Sequence, residues 1–157
     1  MDLSAFSYGV DDIPDDKKPD HARVGEVLYR TAKELQGYIS KLEALRVPVI
    51  AAVHGGVIGG ALDLITACDM RFASSDAFFC IQEINIGMAA DVGTLQRLPK
   101  IIPDAKMREM AYTGRRMLAD EAKDSGLVGE IYATQDEMLD AVHKLAAEIA
   151  SKSPVAR

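Results

Sequence analysis

The stretch His54-Gly55-Gly56-Val57-Ile58-Gly59-Gly60-Ala61-Leu62-Asp63 decides how the rest of the chain is read. Upstream of it, Val47 to Val53 is a β-branched, apolar run with the pattern of a buried strand. Downstream, a short helix is expected from about Gly60 to Ala67. Glycines between a strand and a helix let the backbone turn tightly and lie close against a ligand. The first helical turn then presents N–H groups that have no acceptor within the helix. A purely structural corner uses the same residues. The spacing does not register as G-x-G-x-x-G, and no Lys-Ser/Thr follows, so neither a dinucleotide cradle nor a P-loop is expected.

Outward from this corner the chain alternates strands with helices. Residues 1–21 are polar, with Asp11, Asp12, Asp15, Asp16 and Asp20 around Pro14 and Pro19, and read as a mobile loop. From Ala22, the residues Val24, Val27, Leu28, Thr31, Leu35, Tyr38, Ile39, Leu42 and Leu45 recur at helical steps until Pro48. Two short strands, Asp69 to Ala73 and Ala77 to Ile81, flank a Ser74-Ser75-Asp76 turn. Helices are expected from Asp91 through Leu98, from Lys106 to Thr113 and from Ala119 to Asp124, the last ended by Gly126. A strand at Val128 to Tyr132 follows. Thr134 and Glu137 form a capping box for a final helix with Met138, Val142, Leu145 and Ile149 on one face. The expected class is α/β in a single domain, residues 1–157, mostly parallel.

Composition removes several functions. The 157 residues carry 24 acids against 18 Lys and Arg, for a net charge of −6, and no basic cluster is long enough to track phosphates. Nucleic acid is therefore not an expected partner. Apolar runs break well before the ~18 residues a membrane span needs. Cys68 and Cys80 fit no metal-ligand spacing and read as small core hydrophobes in a reducing compartment. No metal site is expected. Met107, Met110 and Met138 recur at helical spacing and read as core.

Three isolated acids carry the remaining chemistry. Asp63 lies in the first turn of a helix, whose positive end favours its ionised form; it either compensates that dipole or orients a substrate. Glu83 leaves the apolar run Phe78-Phe79-Cys80-Ile81-Gln82, where partial desolvation raises a carboxyl toward the range useful for proton transfer. Its alternative is a solvated strand end. Asp91 is either a helix N-cap or, among small apolar neighbours, an acid facing a cavity. Two carboxylates near one pocket divide into an acid and a base. His21, His54 and His143 form no triad, and His54 is expected to support the turn through a hydrogen bond. No G-x-S-x-G elbow is present.

The segment Val49 through Leu64, continued by Thr66-Ala67-Cys68-Asp69-Met70-Arg71, resembles the signature of the crotonase (enoyl-CoA hydratase/isomerase) superfamily. Phe78-Phe79 through Glu83, then Gly87-Met88-Ala89-Ala90-Asp91-Val92-Gly93-Thr94-Leu95-Gln96-Arg97-Leu98-Pro99, is similar to its dienoyl-CoA isomerase branch. The resemblance implies the ClpP/crotonase fold of stacked ββα units. It also implies that Gly60 is the second oxyanion-hole donor and that Gly56, Gly59 and Gly60 line the substrate. On the same basis Glu83 exchanges a proton at C2 of an acyl thioester, Asp91 serves C6, and Asp63 is the third acid. The implied reaction converts a 3,5-dienoyl-CoA to the 2,4-dienoyl isomer in fatty-acid β-oxidation. It needs no cofactor, because coenzyme A belongs to the substrate. A homotrimer or homohexamer in the mitochondrial matrix or peroxisome is implied as well. An enoyl-CoA hydratase and a truncated, non-catalytic crotonase-like subunit are the alternatives. By the same resemblance the first oxyanion donor lies in a loop just before Met1-Asp2-Leu3, with the N-terminal strands of the fold ahead of that loop and further helices after Pro154.

Overall fold

The structure, a computed structural model, describes residues 20–154. The acidic stretch with Pro14 and Pro19, and Val155 to Arg157, lie outside the described residues. The chain divides into two units, residues 1–34 and 35–157. In the first, Asp20 Oδ1 accepts the Arg23 N–H at 2.9 Å and opens helix α1, His21–Glu43. His21 is thus helical rather than part of a loop. None of α1 is buried: Val27 and Leu28 are each more than half exposed. The periodicity identifies the helix and its apolar face, but carries nothing about what covers that face.

The second unit begins in the last turns of α1 and contains two three-stranded sheets. Strand β1, Ile50–Val53, joins the first sheet and β2, Gly56–Ile58, the second. Helix α2, Gly60–Thr66, leads back to β3, Met70–Ser74, in the first sheet, and β4, Phe78–Cys80, returns to the second. After a 3-10 turn at Glu83–Ile86 come α3, Thr94–Arg97, and α4, Asp104–Thr113. Strand β5, Arg116–Leu118, α5, Ala119–Ser125, β6, Glu130–Tyr132, and α6, Gln135–Ala150, complete the unit. The orders are β1-β3-β6 and β2-β4-β5, and only the β4–β5 pair is antiparallel. This is the expected α/β class, with the first four strands dealt alternately to two sheets.

Burial explains the alternation. Val57, Phe79 and Met117 sit side by side across the second sheet and point inward, each at most 4% exposed. Leu62 of α2, Leu98 and Met110 are fully buried in the same core. Each such side chain contributes roughly 1.5–3 kcal/mol of transfer free energy. The predicted cap of α6 is present, with Thr134 accepting the Glu137 N–H at 3.2 Å. Met107 and Met138 are buried as expected.

Several boundaries differ from the sequence reading. The first predicted strand starts at Ile50, not Val47, because Pro48 has no N–H. Val49 instead donates to Asp69 Oδ2 at 2.7 Å and accepts from Asp69 and Met70. The glycine corner was expected to be turn throughout, yet Gly56 to Ile58 is a strand. Its pairing comes from Phe78–Cys80, which local periodicity cannot register. Asp91 does not cap the following helix; Gly93 occupies the cap position.

Candidate active site

Helix α2 opens directly from the second sheet. Gly59 donates its N–H to Cys80 O at 3.0 Å, which ties the corner to β4. The carbonyl of Gly59 then accepts from Leu62 and Asp63, at 2.7 and 3.2 Å. The remaining first-turn donors, Gly60 and Ala61 N–H, are the two that helix geometry leaves for a ligand. Gly59 has φ +55° and ψ −120°, a conformation open to glycine and strained for other residues. It also stands close to an acid: a Cβ there would lie 2.9 Å from Glu83 Oε1. At Gly56 a Cβ would meet the Phe78 ring at 2.9 Å. The missing side chain at 56 therefore serves strand packing.

Glu83 opens the 3-10 turn after β4. It lines a cleft of about 450 Å³ with Ile81, Met88, Ala90, Leu95 and Met107. Burial raises its pKa above the usual glutamate range, and the charges of Asp63 and Asp91 add to the rise. Both other predicted acids are therefore within electrostatic reach of Glu83. Glu83 Oε2 is buried and has no hydrogen-bond partner.

Asp63 is 1% exposed. Its Oδ1 accepts the Thr94 N–H at 2.6 Å, across 31 residues, so it caps α3 from another helix. Its Oδ2 is buried with no hydrogen-bond partner. Sequence reasoning left Asp63 either compensating its own helix dipole or orienting a substrate or a neighbouring acid, and missed this cross-element cap. No local pattern links residues 63 and 94.

Asp91 has an exposed side chain on a second cleft, about 280 Å³, with Gln36, Glu43, Gln96, Arg97 and Lys100 on its walls. Ala89 and Ala90 line the Glu83 cleft, so the chain crosses from one cleft to the other at residue 91. Glu83 and Asp63 are brought together at the glycine corner. Asp91 stands at the edge of that site.

The other candidates separate from it. His54 is exposed, and no hydrogen bond from its ring supports the turn among the described residues, contrary to expectation. Cys80 is buried and its Sγ lies 3.2 Å from Gly114 O, whereas Cys68 is only half-buried. Burial pushes both thiols up. Among the described residues no group of His, Cys, Asp and Glu could hold a metal ion. No described helix is long and apolar enough to cross a membrane.

Comparison with known proteins adds three findings. The family model for enoyl-CoA hydratase/isomerase matches residues 5–157. The mitochondrial Δ(3,5)-Δ(2,4)-dienoyl-CoA isomerase of Pongo abelii is 50% identical over 96% of this chain and 48% of its own length. The peroxisomal enzyme of that name from Arabidopsis thaliana is 48% identical over 87% of this chain and 49% of its own. A crystal structure of a probable enoyl-CoA hydratase/isomerase from Mycobacterium abscessus superposes with a TM-score of 0.79 at 36% identity. That match covers 83% of this chain and 49% of the other. The chain thus spans about half the length of the curated relatives it matches. The glycine corner, the strands shared between two sheets and the family match over nearly every residue agree, and the chain belongs to the enoyl-CoA hydratase/isomerase family, with the crotonase fold.

Proposed function

We propose that the protein isomerises a 3,5-dienoyl-CoA to the 2,4-dienoyl-CoA by moving a proton from C2 to C6 through a thioester dienolate. The observation that carries this reading is the pair of buried, unpartnered carboxylate oxygens, Asp63 Oδ2 and Glu83 Oε2, beside the glycine corner. Buried polar atoms normally have partners. Glu83 lines the apolar cleft, and a carboxylate oxygen left open there fits a substrate that supplies or takes a proton, with the Asp63 carboxylate behind it. The names of the relatives from Pongo abelii and Arabidopsis thaliana support the same reaction.

Glu83 takes the C2 proton. The electron pair moves into the C1–C2 bond, and the thioester oxygen becomes an anion held by the Gly60 N–H. Loss of one oxyanion donor typically costs roughly 2.7–4 kcal/mol of transition-state stabilisation. Return of the electrons through the conjugated chain draws a proton onto C6 from Asp91, leaving double bonds at C2 and C4. Burial and its acidic neighbours hold Glu83 above the ordinary range, so its ionised form is a stronger base than a solvated glutamate. Asp63 lies near Glu83 and fixes α3 by accepting the Thr94 N–H. The apolar cleft takes the acyl chain, and coenzyme A enters only as part of the substrate.

Fatty-acid β-oxidation is the setting in which such dienes need moving. A mitochondrial or peroxisomal site, as in the names of the relatives, and a homotrimer or homohexamer belong to the same proposal. Ultraviolet absorbance of the protein with a 3,5-dienoyl-CoA tests it, through growth of the conjugated 2,4-dienoyl thioester signal. Hydration of a 2-enoyl-CoA without that signal assigns a hydratase, and silence with both substrates leaves a binding subunit.

A further inference from the structure

The segment from Asp91 to Gly93 joins the two clefts without belonging to any sheet or helix, and leads into Thr94, the first residue of α3. Side chains from other elements hold it. Gln36 Nε2 donates to Asp91 O at 2.8 Å, and Asp63 Oδ1 accepts from Thr94 N at 2.6 Å. Between these points lies Arg97, whose side chain is only 11% exposed. Its Nη2 donates to Ser40 Oγ at 3.0 Å and to Glu43 Oε2 at 2.8 Å, and its Nη1 reaches Val92 O at 3.4 Å. The hydrogen bond from Arg97 holds the Glu43 carboxyl below the usual range, so the pair stays ionic.

Gly93 makes room for this arrangement. Its φ is +142°, outside the range that other residues adopt readily, and a Cβ at 93 would overlap Nη1 of Arg97. Gln36, Ser40 and Glu43 recur at steps of four and three along the last turns of α1, which places them on one face of that helix. A guanidinium offers a planar fork that binds several oxygens at once, which a single ammonium does not. The fork therefore spans from the α1 face to the Val92 carbonyl, one residue after Asp91.

We propose that Arg97, seated over Gly93 and anchored by Glu43 and Ser40, is a positioning residue that holds Asp91 at its place on the border of the two clefts. The inference rests on the reading of Asp91 as the acid that serves C6. Arg97 touches no reacting atom; it acts through the Val92 carbonyl and the path of the backbone. Loss of the fork lets the segment drift toward the second cleft and lengthens the reach from Asp91 to the substrate, while Glu83, fixed by β4 and the 3-10 turn, keeps its place.

Deuterium uptake into dienoyl-CoA in heavy water, resolved by position, tests this. Wild type, Asp91→Asn, Arg97→Gln, Glu43→Gln and the Arg97→Gln/Asp91→Asn double variant are compared. Arg97→Gln is expected to lower exchange at C6 about 10- to 100-fold, the scale of a displacement near 1 Å, with exchange at C2 close to wild type. Glu43→Gln, which retains an acceptor, gives a smaller loss of the same selectivity. In the double variant Arg97→Gln adds nothing to Asp91→Asn, since it acts through that acid. Equal losses at C2 and C6 in Arg97→Gln, or additive losses in the double variant, overturn the proposal. If Asp91→Asn leaves C6 exchange intact, the underlying assignment of Asp91 fails instead. Amide hydrogen exchange serves as a readout independent of turnover: in Arg97→Gln the amides of Val92 to Thr94 exchange faster while those of Phe79 and Met117 do not. Unchanged amides at 92–94 also overturn it.

Discussion

Replacing Asp63 separates its two roles. In Asp63→Ala the Thr94 N–H loses its acceptor in a place where Thr94 is 1% exposed. A buried donor left without a partner costs about 1–3 kcal/mol, and a hydrogen bond to a charged group contributes about 1.5–3 kcal/mol. These describe the same loss and are not summed. Removal of the unpartnered Oδ2 acts in the opposite direction, because a buried carboxylate oxygen with no donor is itself unfavourable. The net expectation is a loss of about 2 kcal/mol for Ala. In Asp63→Asn the amide oxygen keeps the Thr94 cap, so the loss is smaller than for Ala. Both substitutions remove a negative neighbour of Glu83 and lower its pKa. Urea denaturation gives the stabilities, and the pH profile of C2 exchange gives the titration of Glu83. The rising limb should move to lower pH in both variants. An Asn variant as unstable as the Ala variant, or a limb that stays in place, refutes the assignment of Asp63 as a cap that also charges the site.

The remaining predictions concern neighbouring elements. Gly59→Ala places a Cβ 2.9 Å from Glu83 Oε1 on a backbone at φ +55°. Strain of about 1–3 kcal/mol and slower C2 exchange are expected together in denaturation and exchange assays. Glu83→Gln is expected to abolish C2 exchange while raising stability at neutral pH. Its folded pKa is raised, so its favourable contribution is complete below the unfolded value and is lost as pH rises through the folded one. Melting temperatures at pH 4 and pH 8 check the sign: the gain should be larger at pH 8. Glu121 is held down to about 2 by hydrogen bonds from Arg115 and Lys106. Its contribution is present above the ordinary glutamate value and fades as pH falls toward 2. Solvent screening limits it to about 1 kcal/mol, and Glu121→Gln should flatten the acid limb of a stability–pH curve by that amount.

The residues that fix the class were legible where their signals are local. Gly126 after α5, Thr134 before α6 and the apolar run at Phe78–Cys80 each stand within a few residues of the element they define. Strand β2 was not, since three residues between glycines have no period of their own and depend on a partner some twenty residues later. The same distance hid the bond from Asp63 to Thr94 and the fork from Arg97 to Glu43. Local spacing left the roles of the acids open. Resemblance supplied Glu83 and Asp91, and the structure adds that Asp91 lies at the border of two clefts.

Dealing strands by turns to two sheets interlocks their assembly. β1 waits for β3, β2 waits for β4 and β3 waits for β6, so the first pair closes only at Ser74, the second only at Cys80, and the first sheet is complete only at Tyr132. A single nick at Ser75, between β3 and β4, puts a break in both sheets at once. Pieces split there should fail to fold separately, and should regain structure only when mixed.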